Sequence, residues 1–152
     1  MEKKQQKFFG RTASRFYAVQ LLYMWDILEI KPKHIDPPFL TEVNINPMDH
    51  SVVCFNANDD LYKLLCMQTM ENKDKIDEEI EKSLSDSWSI SRINKVVLSI
   101  LRLSTGEILF QRDVPSPVII NEYINISKTF LETREVSFIN GFLDNTCKKI
   151  RI

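Results

Sequence analysis

Histidines that could act as general bases or metal ligands are few in this sequence, and their spacing is unfavourable. The only two, His34 and His50, stand in a proline-rich stretch, and no His-x-x-x-His pattern or acid–His spacing accompanies them. A catalytic base must first lie within hydrogen-bonding reach of the proton that it removes. We therefore interpret both histidines as solvated loop residues rather than catalytic groups or metal ligands.

A cluster of acids could be mistaken for a cation site. It comprises Asp77, Glu78, Glu79 and Glu81. In the helix predicted for this segment, consecutive side chains point to different faces, whereas a bound cation needs several oxygens to converge. A solvated helix face is the favoured interpretation, and no metal is expected.

The cysteines and glycines exclude further kinds of chemistry. The three cysteines are Cys54, Cys66 and Cys147, an odd number without a Cys-x-x-Cys pair. Such usage suits a reducing compartment, where thiols serve as small apolar residues. The three glycines are scattered, so no glycine-rich phosphate loop is present. The sequence thus predicts a protein that is not an enzyme and has no cofactor.

Length and charge favour a folded binding protein. The chain of 152 residues is long enough for one domain with a sizeable core, and 43% hydrophobic with 27% charged residues is typical of globular proteins. The net charge of −1 is unevenly spread, because residues 1–15 carry a net +4 and residues 57–81 a net −5. Composition alone favours a solvated tail beside a solvated helix face. The sharper alternative is an electrostatic footprint for a polyanion.

The N-terminus does not resemble a targeting segment. Only Phe8 and Phe9 separate its lysines from Gly10 and Arg11, which is too short for a signal-peptide apolar region. The longest uncharged apolar run, 16–25, is about half of the ~20 residues that a membrane helix needs. We expect a cytoplasmic protein.

Five helices are predicted from apolar residues that recur at spacings of three and four. They cover about 12–30, 58–84, 92–110, 118–131 and 136–150. Asn58 is a suitable N-cap, with Asp59 and Asp60 where the helix dipole favours acids. Ser116 as N-cap with Pro117 at the first helical position marks another start. Five or six helices in one chain predict an all-α bundle.

Interruptions divide this pattern. Residues 31–57 hold four of the six prolines and are interpreted as a connector with one short helix near 39–43. A second break lies around Trp88, and the two breaks predict two packed halves. We find no alternating strand pattern. Gly141 lies inside the last helix, where it costs roughly 1 kcal/mol against Ala, and it predicts a close helix–helix approach.

Motifs along the chain together resemble one family. They are R-x-x-x-R-x-x-A-V-Q-L-L-Y-x-W-D at 11–26, K-I-D at 75–77, Trp88, I-L-R-L-S-x-x-E-I-L at 100–109, D-V-P-x-x-V-x-I-N-E at 113–122, S-K-x-F at 127–130 and F-I-N-G-x-L-D at 138–144. In this order they resemble the NusB family of bacterial transcription antitermination factors. The resemblance spans nearly the whole chain, and I-N-E with F-I-N-G is its most specific part.

The resemblance implies both fold and function. It implies two packed three-helix bundles in a single RNA-binding domain, 1–152, with a basic N-terminal arm at 1–10 and the proline-rich connector at 31–57. Family members bind the boxA element of nascent ribosomal RNA as a heterodimer with a small-subunit ribosomal protein, NusE. The pair joins other Nus factors on RNA polymerase and suppresses premature termination without catalysis. A homodimer is a further partner that the resemblance allows.

The resemblance also implies an RNA-binding site. The family's arginine-rich N-terminal segment matches at Arg11 and Arg15, whereas Thr12 and Ala13 stand where other members carry arginine. Lysines upstream are expected to compensate, because phosphate contacts depend on positive charge more than on side-chain type. These lysines are Lys3, Lys4 and Lys7.

Two aromatic residues are candidates with an equally weighted alternative. Tyr23 matches a first-helix tyrosine near the RNA and partner surfaces, and Phe138 opens the F-I-N-G motif and could stack an unpaired base. Each could instead be a core residue.

Some positions depart from the family pattern. Arg134 stands where some members carry an acid beside the RNA, and it should strengthen phosphate attraction. Val97 and Leu98 replace a charged pair of the binding surface, which implies a co-adapted partner or an altered NusE contact. Arg102 and Glu122 are interpreted as structural, pairing across two helices.

Two other hypotheses are kept. The chain could be a NusB-like N-terminal domain from a ribosomal RNA cytosine methyltransferase, which requires it to be a fragment because no glycine-rich cofactor loop is present. It could also be a plain helical scaffold, which requires the motif order to be coincidental. The favoured hypothesis is an antitermination factor that binds single-stranded boxA-type RNA with NusE.

Overall fold

Helices dominate the structure, as the sequence predicts. The computed structural model describes residues 4–28, 42–46, 50–84 and 89–151. The α-helices of this part are α1 (Gly10–Leu28), α2 (Asp59–Glu71), α3 (Lys73–Ser83), α4 (Lys95–Phe110), α5 (Ser116–Phe130) and α6 (Thr133–Ile150), with a 3-10 turn at Ile90–Arg92. Trp88 and His34 lie outside the described residues.

A small sheet accompanies the helices, so the expectation of no strands is wrong. Strands β1 (Lys4–Phe9), β2 (Glu42–Asn46) and β3 (His50–Phe55) are ordered β1-β3-β2, with β1 parallel and β2 antiparallel to β3. The basic arm and the described parts of the connector therefore pair with each other. Pairing between segments so distant in sequence leaves no local signal beyond a few alternating residues.

Two sequence interpretations in the connector change accordingly. The short helix near 39–43 is not found in its described part, because Glu42 and Val43 belong to β2. His50 opens β3 rather than lying in an irregular loop. Composition alone predicts an irregular connector, but its backbone N–H and C=O groups form strand hydrogen bonds at 42–46 and 50–55.

Helix α1 begins directly after β1 because of Gly10. Its φ of +53° is a left-handed conformation that glycine adopts without strain. The Asn58 N-cap of α2 is confirmed, since its side chain accepts a 2.9 Å hydrogen bond from the Leu61 amide. The Ser14 hydroxyl accepts a 2.7 Å hydrogen bond from the Asn58 amide, which fixes the start of α2 against α1.

The predicted helix 58–84 is two helices in the structure. The break falls at Asn72, whose side-chain amide donates a 2.8 Å hydrogen bond to the Gln68 carbonyl. Asparagine side chains compete with the helical backbone in this way. The periodicity of the apolar residues continues across the break, which is why the pattern alone does not reveal it.

Helix α4 is the centre of the molecule. Every residue from Val97 to Ile108 is buried, and α4 contacts α1, α2, α3, α5 and α6. It begins three residues later than predicted, where the Asn94 side chain accepts a 2.8 Å hydrogen bond from the Val96 amide. A helix buried on all sides needs partners for its polar residues, and these partners position the other helices.

Helices α5 and α6 begin earlier than predicted. Pro115 rather than Ser116 is the N-cap of α5, and α6 starts at Thr133 through a capping box of Glu132 and Glu135. The close approach predicted at Gly141 is wrong, because no atom outside its own helix lies within 4 Å of an added Cβ.

The structure agrees with the interpretation of the cysteines, which are all free and buried. Within the described part of the chain, no group of three or more His, Cys, Asp or Glu side chains could hold a metal ion. No helix of that part combines the length and apolar character needed to cross a membrane.

Candidate nucleic-acid interface

Arg15 is a core residue, which contradicts its prediction as an RNA contact. Its side chain lies on the inner face of α1 and only 1% of its surface is exposed. The guanidinium Nε donates to both carboxylate oxygens of Glu107 on α4 at 3.1 Å, and Glu122 on α5 lies 3.7 Å away. Tyr123 donates a 2.8 Å hydrogen bond to the same Glu107 carboxylate. Arg15 thus joins α1 to α4 and α5 and does not reach solvent.

The charge state of this buried group follows from its partners. Burial lowers the pKa of Arg15, but the hydrogen bonds and negative charge of Glu107 outweigh burial and hold the pKa above its ordinary value. Burial first, and then the charge of Glu107, raises the pKa of Tyr123 well above its ordinary value. The network therefore holds a charged arginine, a neutral tyrosine and a shared carboxylate acceptor.

A second network fixes the other end of α1. The Arg102 guanidinium donates to the Asp77 carboxylate at 2.8 and 3.1 Å and lies 3.6 Å from Asp26. Lys95 lies 3.2 Å from the same Asp26. The structural roles expected for Arg102 and Glu122 are correct, but the two pair with different partners and not with each other. Both ends of α1 are thereby held against α4.

Among the N-terminal side chains that the structure describes, the exposed cations are Lys7 and Arg11. Lys7 lies on β1 and Arg11 in the first turn of α1, and neither forms an ion pair with a residue whose side chain is described. Lys4 begins β1, while Lys3 lies outside the described residues. Next to Arg11, Thr12 donates a 2.6 Å hydrogen bond to Glu122. Arg11, the sequence neighbour of Thr12, is therefore an exposed candidate phosphate ligand beside α5.

Arg134 and Phe138 lie together in a cleft between the starts of α4 and α6, which we call the α6 cleft. The cleft measures about 580 Å³ and is lined by Arg92, Ile93, Asn94, Val97, Glu132, Arg134, Glu135 and Phe138. Phe138 is half-buried and packs against Phe142 with 6.5 Å between ring centroids. The sequence left Phe138 as either a base-stacking residue or a core residue. In the structure its ring contacts the core and also lines the cleft.

Two arginines and two glutamates line this cleft, so its formal charges balance. Arg92 and Arg134 are exposed and form no ion pair with any residue that the structure describes. The two acids of the cleft, Glu132 and Glu135, hydrogen-bond to backbone amides in the capping box of α6. An aromatic ring beside unpaired guanidinium groups can bind an unstacked base and its phosphates.

The partner surface predicted at Val97 and Leu98 needs correction. Leu98 is 2% exposed and faces the core, so its side chain cannot contact a partner. Val97 is also buried, and its only outward role is to line the α6 cleft. In a helix buried all round, apolar residues at these positions are explained by packing.

Tyr23 lies at the surface and not in the core. It is 37% exposed, and Met24 and Ile27 next to it on α1 are also exposed. Aromatic and methionine side chains that share one exposed face are typical of protein interfaces. Tyr23 and Phe138 belong to different helices, and Tyr23 is not among the residues that line the α6 cleft.

A groove between α5 and α6 was missed by the sequence analysis. It measures about 500 Å³ and is lined by Asn121, Ile124, Lys128, Leu131, Thr133, Val136, Ser137 and Asn140. No acid lines it, and Asn121 is the neighbour of the Glu122 that Thr12 contacts. Both Asn121 and Asn140 belong to the I-N-E and F-I-N-G motifs, which could have identified them. The groove and the cleft are both lined by residues of α6.

The family is decided by the sequence match. The model of the NusB family matches residues 12–148. The chain belongs to the NusB family. Its curated relatives include the transcription antitermination protein NusB of Clostridium perfringens (strain SM101 / Type A), 40% identical over 142 residues that cover 93% of this chain and 99% of the relative. The NusB of Sinorhizobium medicae (strain WSM419) is 32% identical over 146 residues, covering 93% and 88%.

Solved structures confirm the fold. NusB of T. maritima superposes with a TM-score of 0.71 at 23% identity, covering 98% of this chain and 94% of that one. A chain of the crystal structure of antitermination factors NusB and NusE in complex with dsRNA superposes with a TM-score of 0.68 at 24% identity. The match covers 91% of this chain and 96% of that one. The all-α NusB-like fold class is therefore correct, with the small sheet as an addition.

Family membership also decides between enzyme and non-enzyme. The relatives are named as antitermination factors and not as enzymes. Coincidental motif order, which the scaffold hypothesis requires, is excluded by the family match along 12–148.

Proposed function

We propose that this protein is an antitermination factor that binds boxA-type single-stranded RNA together with the ribosomal protein NusE, within a Nus complex on RNA polymerase. The observation that carries the proposal is the α6 cleft, where Phe138 lies with Arg92 and Arg134, two exposed arginines that form no ion pair with any residue that the structure describes. Support comes from relatives named for antitermination and from the NusB–NusE–dsRNA structure that shares the fold.

The RNA path that we propose has three parts. Lys7 and Arg11 bind phosphates at the start of α1, the amides of the α5–α6 groove contact base edges, and Phe138 stacks a base in the cleft. RNA sequence is generally recognised through unpaired bases, which stack on aromatic rings and hydrogen-bond through exposed edges. Arg15 has no part in this path, because Glu107 occupies its donors.

NusE is proposed to bind the exposed face of Tyr23, Met24 and Ile27. This face replaces the buried Val97 and Leu98 as the candidate partner surface. Tyr23→Ala should weaken NusE binding in isothermal titration calorimetry, since tyrosine is enriched among residues that dominate interface affinity. A matched variant, Val118→Ala on α5, removes a similarly exposed apolar side chain from a helix that contacts the opposite end of α1 through Thr12 and Glu122, and it should leave NusE binding unchanged.

Titration of a labelled boxA-type RNA against a scrambled control, with and without NusE, tests the main proposal. Selective binding that tightens with NusE is the expected result. With about four phosphate contacts to single-stranded RNA, the logarithm of the association constant should fall with the logarithm of salt concentration at a slope of roughly −3. Equal affinity for both RNAs in the presence of NusE would overturn boxA recognition, and a slope near zero would overturn the electrostatic part.

Substitutions on α6 test whether RNA contacts the α6 cleft. Phe138→Leu should weaken boxA binding about ten-fold, because base–aromatic stacking contributes about 1–3 kcal/mol per base. Lys148→Ala is the matched control on the same helix, since Lys148 is exposed near the far end of α6 and outside the cleft. Unchanged affinity in Phe138→Leu would remove the cleft from the RNA path.

A further inference from the structure

An aromatic pair is exposed on the outer face of the small sheet. Phe9 on β1 and Phe55 on β3 are register partners, and their rings stack with 5.1 Å between centroids and 17° between planes. Phe9 is 60% exposed and Phe55 39%. The neighbouring Phe8 points to the opposite face and is buried, so the alternation of β1 turns Phe9 outward while Phe8 anchors the strand.

Cations flank this pair along the chain. Lys7 precedes Phe9 by two residues and therefore shares its face of β1. Arg11 follows within the first turn of α1, which contains no acid, so the positive end of the helix dipole adds to the same potential. Neither cation forms an ion pair with a residue whose side chain the structure describes. Acids also lie near the pair: Asp59 at the start of α2 is paired with Lys63 at 3.5 Å, Asp60 beside it is exposed, and Glu42 on β2 occupies the register position across Val53 from Lys7.

We propose that the outer faces of Phe9 and Phe55 are a stacking platform for an unpaired RNA base, with Lys7 and Arg11 binding the adjacent phosphates. The inference rests on the proposed RNA-binding function and adds a base contact at the sheet, distant in sequence from the α6 cleft. A sheet that presents aromatic rings between cations has the chemistry by which single strands are bound without base preference. A protein partner is the less favoured occupant, because the exposed cations Lys7 and Arg11 border the surface.

The platform should raise affinity without changing selectivity. Every base has a π-face, so stacking tolerates any sequence, and its loss costs about ten-fold in affinity per base. Selectivity between boxA and scrambled RNA would depend instead on base edges in the groove and the cleft. This difference separates the platform from the proposed function in a single set of measurements.

The experiment compares three proteins as full-length chains in the presence of NusE. Phe9→Leu/Phe55→Leu removes both rings but keeps the strand face apolar, Phe9→Tyr/Phe55→Tyr keeps the rings, and Met67→Ala is the exposed apolar control. The probes are boxA-type RNA, its scrambled version and oligouridylate of the same length. A 2-aminopurine placed at successive positions reports stacking by quenching of its fluorescence. Circular dichroism and thermal melting confirm that each variant is folded.

The expected result is that the leucine variant binds all three RNAs about ten-fold more weakly and loses quenching at one RNA position. The tyrosine variant and Met67→Ala should behave as wild type. Wild-type affinity in the leucine variant would overturn the platform, whether or not wild type distinguishes boxA. Loss of NusE binding with unchanged RNA binding would also overturn it and assign the pair to a protein contact.

Failure of the proposed function gives a different pattern. If wild type does not prefer boxA over the scrambled RNA, yet the leucine variant still binds every RNA more weakly, the platform stands and boxA recognition fails. If wild type binds none of the RNAs, both are overturned.

Discussion

Two arginines four residues apart in α1 have opposite environments. Arg11 is exposed without an ion pair, whereas Arg15 is enclosed with Glu107 and Tyr123. The motif R-x-x-x-R treats the two as equivalent. Burial separates them into a candidate phosphate ligand and a structural ion pair that holds α1 against α4.

Arg15→Met should therefore lower the stability of the fold, whereas Arg11→Ala should lower the affinity for RNA. Removing Arg15 leaves the buried Glu107 carboxylate without its cation, and breaking such a pair costs about 3–5 kcal/mol of the free energy of unfolding. Arg11→Ala should change stability by less than about 0.5 kcal/mol while weakening RNA binding. Urea denaturation and RNA titration of both variants measure this. Similar stability losses in the two would contradict the assignment.

Tyr123 makes the stability of this network depend on pH in the alkaline range. Its pKa is raised above the ordinary 10.0, so above pH 10 the folded chain holds a proton that the unfolded chain has lost. The contribution of Tyr123 to the free energy of unfolding is therefore fully present below about pH 10. Above that pH it decreases by at most about 1.4 kcal/mol per pH unit.

Tyr123→Phe removes that dependence. At neutral pH the variant should be less stable by about 1–3 kcal/mol, because Glu107 loses a hydrogen-bond donor. The difference from wild type should stay constant from pH 7 to about 9 and shrink above about pH 10. Urea denaturation across this range measures it, and a difference that grows at high pH would contradict the assignment.

At the scale of elements, two helical glycines have different surroundings. A Cβ on Gly106 of α4 would lie 3.2 Å from the Ile76 Cδ1 and 3.3 Å from the Thr69 Oγ1, whereas one on Gly141 of α6 meets nothing within 4 Å. The close helix approach that Gly141 suggested in the sequence is found instead at Gly106. There α4 packs against the break between α2 and α3.

Alanine substitutions at these glycines should differ in sign. Gly141→Ala should stabilise the protein by about 0.5–1 kcal/mol, since alanine restricts the unfolded chain and favours the helix. Gly106→Ala should destabilise it, because its Cβ presses against two buried side chains. Thermal or urea denaturation of the two variants gives the comparison. Equal effects would show that α4 can shift away from α3 at no cost.

For the whole molecule, the basic N-terminus and the α6 cleft are formed by different elements, and the proposed RNA path joins them through the α5–α6 groove. One RNA strand bound along this path would contact Arg11 and Arg134 at the same time. Contacts that do not touch each other contribute independently to affinity.

Arg11→Ala and Arg134→Ala should therefore combine additively. Each should reduce the magnitude of the salt slope by about 0.7, and the double variant by about 1.4, because each removes one phosphate contact to a single strand. Fluorescence anisotropy at several salt concentrations measures the slopes. A double variant no weaker than either single one would mean that the two arginines do not contact the same strand.

The sequence alone determined the helices and the family. Apolar residues at helical spacing and capping residues such as Asn58 are local signals, and the order of motifs from Arg11 to Asp144 is independent of coordinates. The errors at helix ends are small and local, since a capping box or an asparagine side chain moves a boundary by a few residues. The sequence analysis names Phe138 from its motif and Arg134 as a departure from the family pattern, and α6 places them one turn apart.

Only the tertiary structure decided which candidate residues face solvent. Burial of Arg15 and Leu98, exposure of Tyr23, and the pairing of Phe9 with Phe55 depend on segments far apart in sequence. The partner of Arg15 is 92 residues away, and the parallel pairing of β1 with β3 joins residues on either side of α1. Periodicity fixes which residues share a face, but only the packing of that face against others fixes whether it is inside. For this reason the sequence predicts the fold, whereas it does not predict which candidate site residues lie at the surface.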